Sequence, residues 1–203
     1  MISKINRNSN FCFPTLLLNV EPIVDDTTLR DGVQMPGIAI SPERTAKIAY
    51  LLDEVGIERI EIHHFQRQDQ KAIKLIKKMG LNARIAGWCR ALVDDINNAI
   101  KCDLNEIGIS HPVSYIHFKA KWPNFTEEAL LNRVIEAVEY AAKDHGLRVF
   151  VHGEDSTRAD WEFEKKFINC VSDAGAECYR ICDTVGVGLS DPNAHYQMEF
   201  PQK

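Results

Sequence analysis

Apolar residues along the chain follow two alternating rhythms. Short runs with the two-residue period of a strand ("PIVDDTTL", "IERIEIHH", "ARIAGWC", "NEIGIS", "LRVFVHGED", "CYRICDT") are each followed by a longer stretch of helical period and then, in most cases, a glycine. Ser41 with Pro42 behind it predicts a helix start, and Ile48, Leu51, Leu52 and Val55 form its apolar stripe up to Gly56. A lysine-rich helix carrying Ile73, Ile76 and Met79 is expected to end at Gly80. Leu92, Val93, Ile96 and Ile100 mark the next one. After the loop "HPVSYIHFKAKWPNF", Thr126 caps the longest helix (Leu130, Val134, Val138, Ala141), which runs to near Gly146. Asp160 caps a last helix bearing Phe163, Phe167 and Val171 before Gly175.

Strands alternating with helices imply parallel pairing through right-handed crossovers. Six such units suit either a doubly wound sheet or part of a (β/α)8 barrel. Polar residues decide between them. A parallel strand is covered on both faces, so a charge within it is costly unless it faces a polar site. Here the strands turn polar at their C-terminal ends: Arg30 and Asp31, Glu61 and His63, Arg90, Ser110 and His111, His152 and Glu154, Asp183 and Thr184. Charges from six strand ends describe the face where barrels keep their active sites. No Gly-rich dinucleotide fingerprint follows the first strand. The expected fold is therefore α/β, an incomplete (β/α)8 TIM barrel of about six βα units. Residues 1–22 read as an N-terminal lead-in and 23–203 as a partial barrel without strands seven and eight.

Composition narrows the function classes. A formal net charge of −5 in 203 residues gives no basic stripe, which disfavours nucleic acid as a partner. No run approaches the roughly 18 apolar residues of a membrane span. The six cysteines include no C-x-x-C pair and read as reduced, core-filling thiols of a cytoplasmic protein. Lys4 and Arg7 ahead of an acid-free apolar stretch faintly resemble a targeting segment, but Pro14 interrupts it.

The crowded run "DDTTLRDGVQMPG" places Asp31, an oxygen ligand suited to a hard divalent ion, beside the fixed cation Arg30. Such an ion polarises a carbonyl, and an arginine stabilises the oxyanion of carbon–carbon bond making or breaking. Glu61 and Glu154 are candidates to position substrate or shuttle a proton. The competing structural reading pairs them with Arg90, Arg158 or Arg180. His63 and His64 point to opposite faces of a strand, so only His63 shares the Glu61 face. Trp122 with Lys119 and Lys121 reads first as an exposed loop anchored by one aromatic, and second as a contact for a CoA phosphate.

"DTTLRDGVQ" (Asp26 to Gln34) resembles the signature of the metal-dependent (β/α)8 family of 2-isopropylmalate, homocitrate and citramalate synthases, to which hydroxymethylglutaryl-CoA lyases are related. "IERIEI", "SYIHFKAK", "HGEDSTRADWEF" and "CDTVGVGLSDP" are similar to later family elements in the same order. The resemblance implies that Asp31 ligates a divalent metal (Mg, Mn or Zn) and that Arg30 contacts a 2-oxo acid and the developing negative charge. It further implies that Gln34 shapes that pocket and that Glu61, Glu154 and Thr184 hold substrate around the metal. His63 and Arg90 join Arg30, Gln34 and Thr184 as substrate-binding candidates. The implied reaction condenses acetyl-CoA, as co-substrate, with the oxo acid and then hydrolyses the thioester.

Three departures stand out. Val33 replaces a glutamate of many members, and the two histidines after Glu61 stand where small or apolar residues are usual. The family's H-x-H metal ligands on a seventh strand have no counterpart in these 203 residues, and a typical barrel takes about 250. The implied chain is an incomplete synthase barrel, a homo-oligomer or one that associates through exposed barrel edges. A same-fold carbon–carbon lyase and an inactive fragment or binding paralogue remain the alternatives.

Overall fold

In the computed structural model, residues 23–124 and 126–188 are described, and among them six strands alternate with six α-helices. The strands are β1 (Asp25–Asp26), β2 (Arg59–Ile62), β3 (Arg84–Arg90), β4 (Glu106–Pro112), β5 (Arg148–Glu154) and β6 (Cys178–Ile181). They pair in parallel in the order β1-β2-β3-β4-β5-β6, without the reversal a doubly wound sheet requires. The six-stranded sheet curls into an open half-barrel, as expected for an incomplete (β/α)8 barrel. The curl brings the two edge strands together: the Arg180 guanidinium of β6 bonds Asp25 of β1 and Glu61 of β2. The lead-in and the segment beyond Gly188 lie outside the described residues.

The helices are α1 (Pro42–Glu54), α2 (Arg67–Met79), α3 (Val93–Lys101), α4 (Tyr115–Lys121), α5 (Glu127–Glu139) and α6 (Trp161–Ala174). Their starts follow local chemistry. Ser41, Thr126 and Asp160 each accept the N–H three residues on, from Arg44, Ala129 and Phe163. Gly80 and Gly175 close α2 and α6 in the left-handed region, with φ of 66° and 118°. Among the described residues no helix is long and apolar enough to cross a membrane.

Alternation divides the sheet into two faces. Ile60, Ile62, Ile107, Ile109, Val149 and Val151 are buried beneath Ile73, Ile76, Ile96, Val134, Val138, Phe167 and Val171 of the helices. The opposite face carries Arg59, Glu61, Arg84, Glu106, Phe150, His152 and Arg180. That ionic face is the barrel interior. Phe150 lies between Arg59 and Arg180, whose guanidinium carbons are 4.4 and 5.0 Å from its ring centre.

Three expectations change. The first strand is two residues long, not eight, because the Thr27 carbonyl takes the N–H of Arg30, Asp31 and Gly32 at 3.0, 2.7 and 3.2 Å and curls the chain. The buried face of α1 is Ala46 and Ala49, with Leu51 and Val55 at 50 and 63% exposure, because α1 packs closely through small residues. Met79 and Val93 also stay exposed. Finally, the loop after the fourth strand contains α4, capped by the Ser114 hydroxyl, which accepts from the His117 N–H. The five described cysteines are free, but only Cys89 is core-buried and Cys178 is exposed.

Candidate functional site

The site forms at the C-terminal ends of the strands. Asp26 shapes the turn that opens it: its carboxylate accepts the Thr28 N–H at 2.9 Å and the Thr28 hydroxyl at 3.1 Å. This turn, not a strand end, projects Arg30 and Asp31. Arg30 donates to Asp31 at 2.6 Å and lies over the indole of Trp88, 4.6 Å from its centre. The Asp31 side chain is 64% exposed.

Deeper in the half-barrel, Glu61 is 1% exposed and paired with Arg180. Burial pushes its carboxyl above the usual range, and Arg180 offsets this only in part. His152 lies 3.7 Å from the same carboxylate. Burial, and then the Arg180 charge, keep that imidazole neutral well below its ordinary value. Gln34 and His63 occupy a different place. They line a cavity of about 540 Å3 between the β1–α1 and β2–α2 connections, together with Leu29, Val33, Ile62 and Phe65. Desolvation lowers the His63 pKa there.

Glu154 ends β5 in the open, held by Lys121 at 3.1 Å and 3.7 Å from His117, both on α4. Its neighbour Asp155 faces away, fully buried, at φ 68°, gripped by Arg158 at 2.7 and 2.8 Å. Thr184 accepts the Asp155 N–H at 2.9 Å, and the Thr157 hydroxyl donates to Asp183 at 3.0 Å. The "EDSTR" and "DTVG" runs are thereby tied into one unit. Arg90 makes a bidentate pair with Asp95 at 2.8 Å in both arms. None of its contacts reaches Arg30 or Glu61.

The half-barrel therefore holds Arg30 at its mouth with Glu61 deeper inside, leaves Glu154 at the end of β5 against α4, sets Gln34 and His63 beside a separate cavity, and ties Arg90 and Thr184 into bonds within the fold. Sequence reasoning missed Trp88 and had Arg180 only as one possible partner of Glu61 or Glu154; it also missed Asp25, and had Lys121 only beside Trp122 and not against Glu154. Two-residue alternation on β3 and β6 carries the signal for the first two.

A profile of the HMGL-like family matches residues 21–199. The chain belongs to the HMGL-like family. Its curated relatives include the (R)-citramalate synthase CimA of Methanocaldococcus jannaschii, 44% identical over 80% of this chain and 33% of the relative. The 2-isopropylmalate synthase 2 of Caldanaerobacter subterraneus is 38% identical over 85% and 44% of the two chains. The homocitrate synthase AksA of Methanopyrus kandleri is 40% identical over 82% and 42%. This HMGL-like chain thus spans between a third and a half of the length of the relatives it matches. The hydroxymethylglutaryl-CoA lyase of Pseudomonas aeruginosa superposes with a TM-score of 0.68 at 18% identity, over 82% of this chain and 59% of the lyase, which supports the fold.

A divalent ion is implied by the resemblance, and the described residues of the HMGL-like chain do not by themselves fit one. Asp31 contributes a single carboxylate, one oxygen of which is taken by Arg30. Among the described residues no group of three His, Cys, Asp or Glu side chains gathers to hold a metal.

The buried histidines give the fold a pH dependence. Burial lowers His111 to about 4, and lowers His64 and His152 as well. The unfolded chain binds these protons from about pH 6.5 downward while the folded chain refuses them, so stability present above 6.5 is lost as pH falls toward 4. Glu61, with its raised pKa, works in the opposite sense. We expect a loss of order 2 kcal/mol from His111 alone. Urea unfolding at pH 7.5 and 5 measures it, and equal midpoints would refute it.

Proposed function

We propose that this chain carries the oxo-acid end of an acyl-transferring synthase, which condenses acetyl-CoA with a 2-oxo acid and hydrolyses the resulting thioester. The observation that carries this reading is Arg30 held against Trp88 at the mouth of the half-barrel, above the buried Glu61. Residues 23–203 act as the catalytic barrel portion in this proposal, in the cytoplasm, with the edges at β1 and β6 available for self-association.

Arg30 binds the oxo acid and stabilises the alkoxide that develops when the acetyl carbanion adds to the ketone carbon. Glu154, a half-exposed carboxylate at the end of β5, takes the proton from the acetyl methyl, while Lys121 and His117 hold it in place. Glu61 is locked by Arg180 and positions the substrate. Gln34 and His63 border the side cavity, where the oxo-acid side chain is received. Arg90 and Thr184 act indirectly, by fixing the ends of β3 and β5. Asp31 is the one carboxylate proposed as a metal ligand among the described residues, and it does not make a metal site by itself.

The test is to incubate the purified chain with acetyl-CoA, a divalent metal and 2-oxo acids of increasing side-chain size, following free CoA thiol. Release of CoA that depends on the oxo acid is expected, falling by about 100- to 1000-fold in Arg30→Ala. Acyl cleavage without condensation would replace this reading with a lyase.

A further inference from the structure

Trp88 is the side chain at the mouth that the sequence motifs do not explain. On β3, Gly87 and Cys89 face the helices: a Cβ at Gly87 would lie 3.0 Å from His64, and the Cys89 sulfur is 3.8 Å from the His64 ring. Trp88 therefore faces the other way, into the half-barrel, where Arg30 covers one face of the indole and Phe65 meets it edge-on, 6.5 Å between ring centres. Two donors in this stack are buried without an acceptor, the Trp88 Nε1–H and the Arg30 Nε–H. A buried indole N–H with nothing to bond costs free energy that a ligand oxygen recovers. Both unpaired groups are donors, and one belongs to a cation, so the complementary ligand group is an anion with more than one acceptor oxygen.

We propose that Trp88 is a substrate-binding residue whose indole N–H, together with the Nε–H of Arg30, grips the carboxylate of the 2-oxo acid. The proposal rests on the reading of Arg30 as the oxo-acid residue. Trp88 fixes where the carboxylate sits and how the ketone is presented. The stack also holds the guanidinium plane in place before substrate arrives, so little ordering is left to binding.

The chain has three tryptophans, so its indole N–H signals in a 1H–15N spectrum form a set of three, with Trp122 and Trp161 as internal controls. Trp122→Phe and Trp161→Phe assign the Trp88 signal even if Trp88→Phe fails to fold. Titration compares a 2-oxo acid with its methyl ester, with magnesium present throughout. The expected result is a shift of the Trp88 signal with the acid and not with the ester, and an acid dissociation constant about tenfold weaker in Trp88→Phe, which keeps a ring against Arg30. An acid that binds the wild type without moving the Trp88 signal overturns the proposal and leaves the oxo-acid reading intact. Equal weakening of acid and ester in Trp88→Phe also overturns it, because lost packing alone does that. If no oxo acid binds the wild type, the underlying reading falls and the proposal falls with it.

Discussion

Gly108→Ala is expected to cost more than about 3 kcal/mol of folding free energy, at the upper end of what overpacking a core does. Gly108 sits on the interior face of β4, in register with Trp88 on one side and Phe150 on the other. An added methyl would lie 2.2 Å from the His152 ring nitrogen and 2.5 and 2.8 Å from two carbons of the Phe150 ring. Neither ring has room to retreat. Phe150 is 2% exposed and lies between Arg59 and Arg180, and His152 is 5% exposed, with Glu61 and Arg180 beside it. The missing side chain at 108 is what lets two large rings from the neighbouring strand fill the barrel centre. Urea unfolding should show a lower midpoint with an unchanged slope. His152→Ala added to Gly108→Ala should recover part of the loss by removing the nearest atom. A single variant as stable as wild type would show that the interior is looser than this packing requires.

The same glycine shows what could be read from the chain and what could not. Helix starts at Ser41, Thr126 and Asp160 and stops at Gly80 and Gly175 were legible because capping is local chemistry within a few residues. The barrel was legible because polar strand ends recur in six units. The extent of the first strand was not, since "DTTL" has strand propensity and only the Thr27 carbonyl, taking three N–H groups, shows it to be a turn. The Leu51 and Val55 stripe misled for a related reason: a period marks a face but not which neighbour covers it. Arg30, Glu61 and Glu154 were all read as strand-end charges, which holds for Glu61 on β2 and Glu154 on β5, whereas Arg30 stands on the turn after β1. Arg90 looked equivalent, yet Asp95 five residues on claims it, and such a choice between partners depends on the first turn of α3. Trp88 was passed over because an aromatic inside an apolar run reads as packing until its partner, 58 residues away, is placed beside it, whereas Arg180 was one of three arginines weighed as partners and only the fold selects it for Glu61.

Arg180→Leu is expected to cost about 3 to 5 kcal/mol at pH 7.5. Arg180 answers two carboxylates at once, Asp25 from β1 and Glu61 from β2, and it is the contact that joins the two edge strands among the described residues. Leucine fills similar volume, so the cost comes from charge. Glu61 would be left buried at 1% exposure without its cation, and burial already raises its pKa in the wild type. The sign of the pH dependence follows. In the variant, folded Glu61 holds its proton to a higher pH than in the wild type, while the unfolded carboxyl titrates near its ordinary value in both. The variant therefore regains stability relative to wild type as pH falls, because a neutral carboxyl no longer needs Arg180. His64 and His111 destabilise both proteins alike on acidification and cancel in the difference, whereas His152, freed of the Arg180 charge, takes its proton more readily in the folded variant and narrows the gap in the same direction. Urea unfolding of the pair at pH 7.5, 6 and 5 should show the gap narrowing, and Glu61→Gln added to Arg180→Leu should narrow it at pH 7.5. A gap that is the same at every pH would mean that Arg180 holds the curled sheet by packing on Phe150 and not by charge. The position of Glu61 in the proposed site would then be set by the sheet and not by its ion pair.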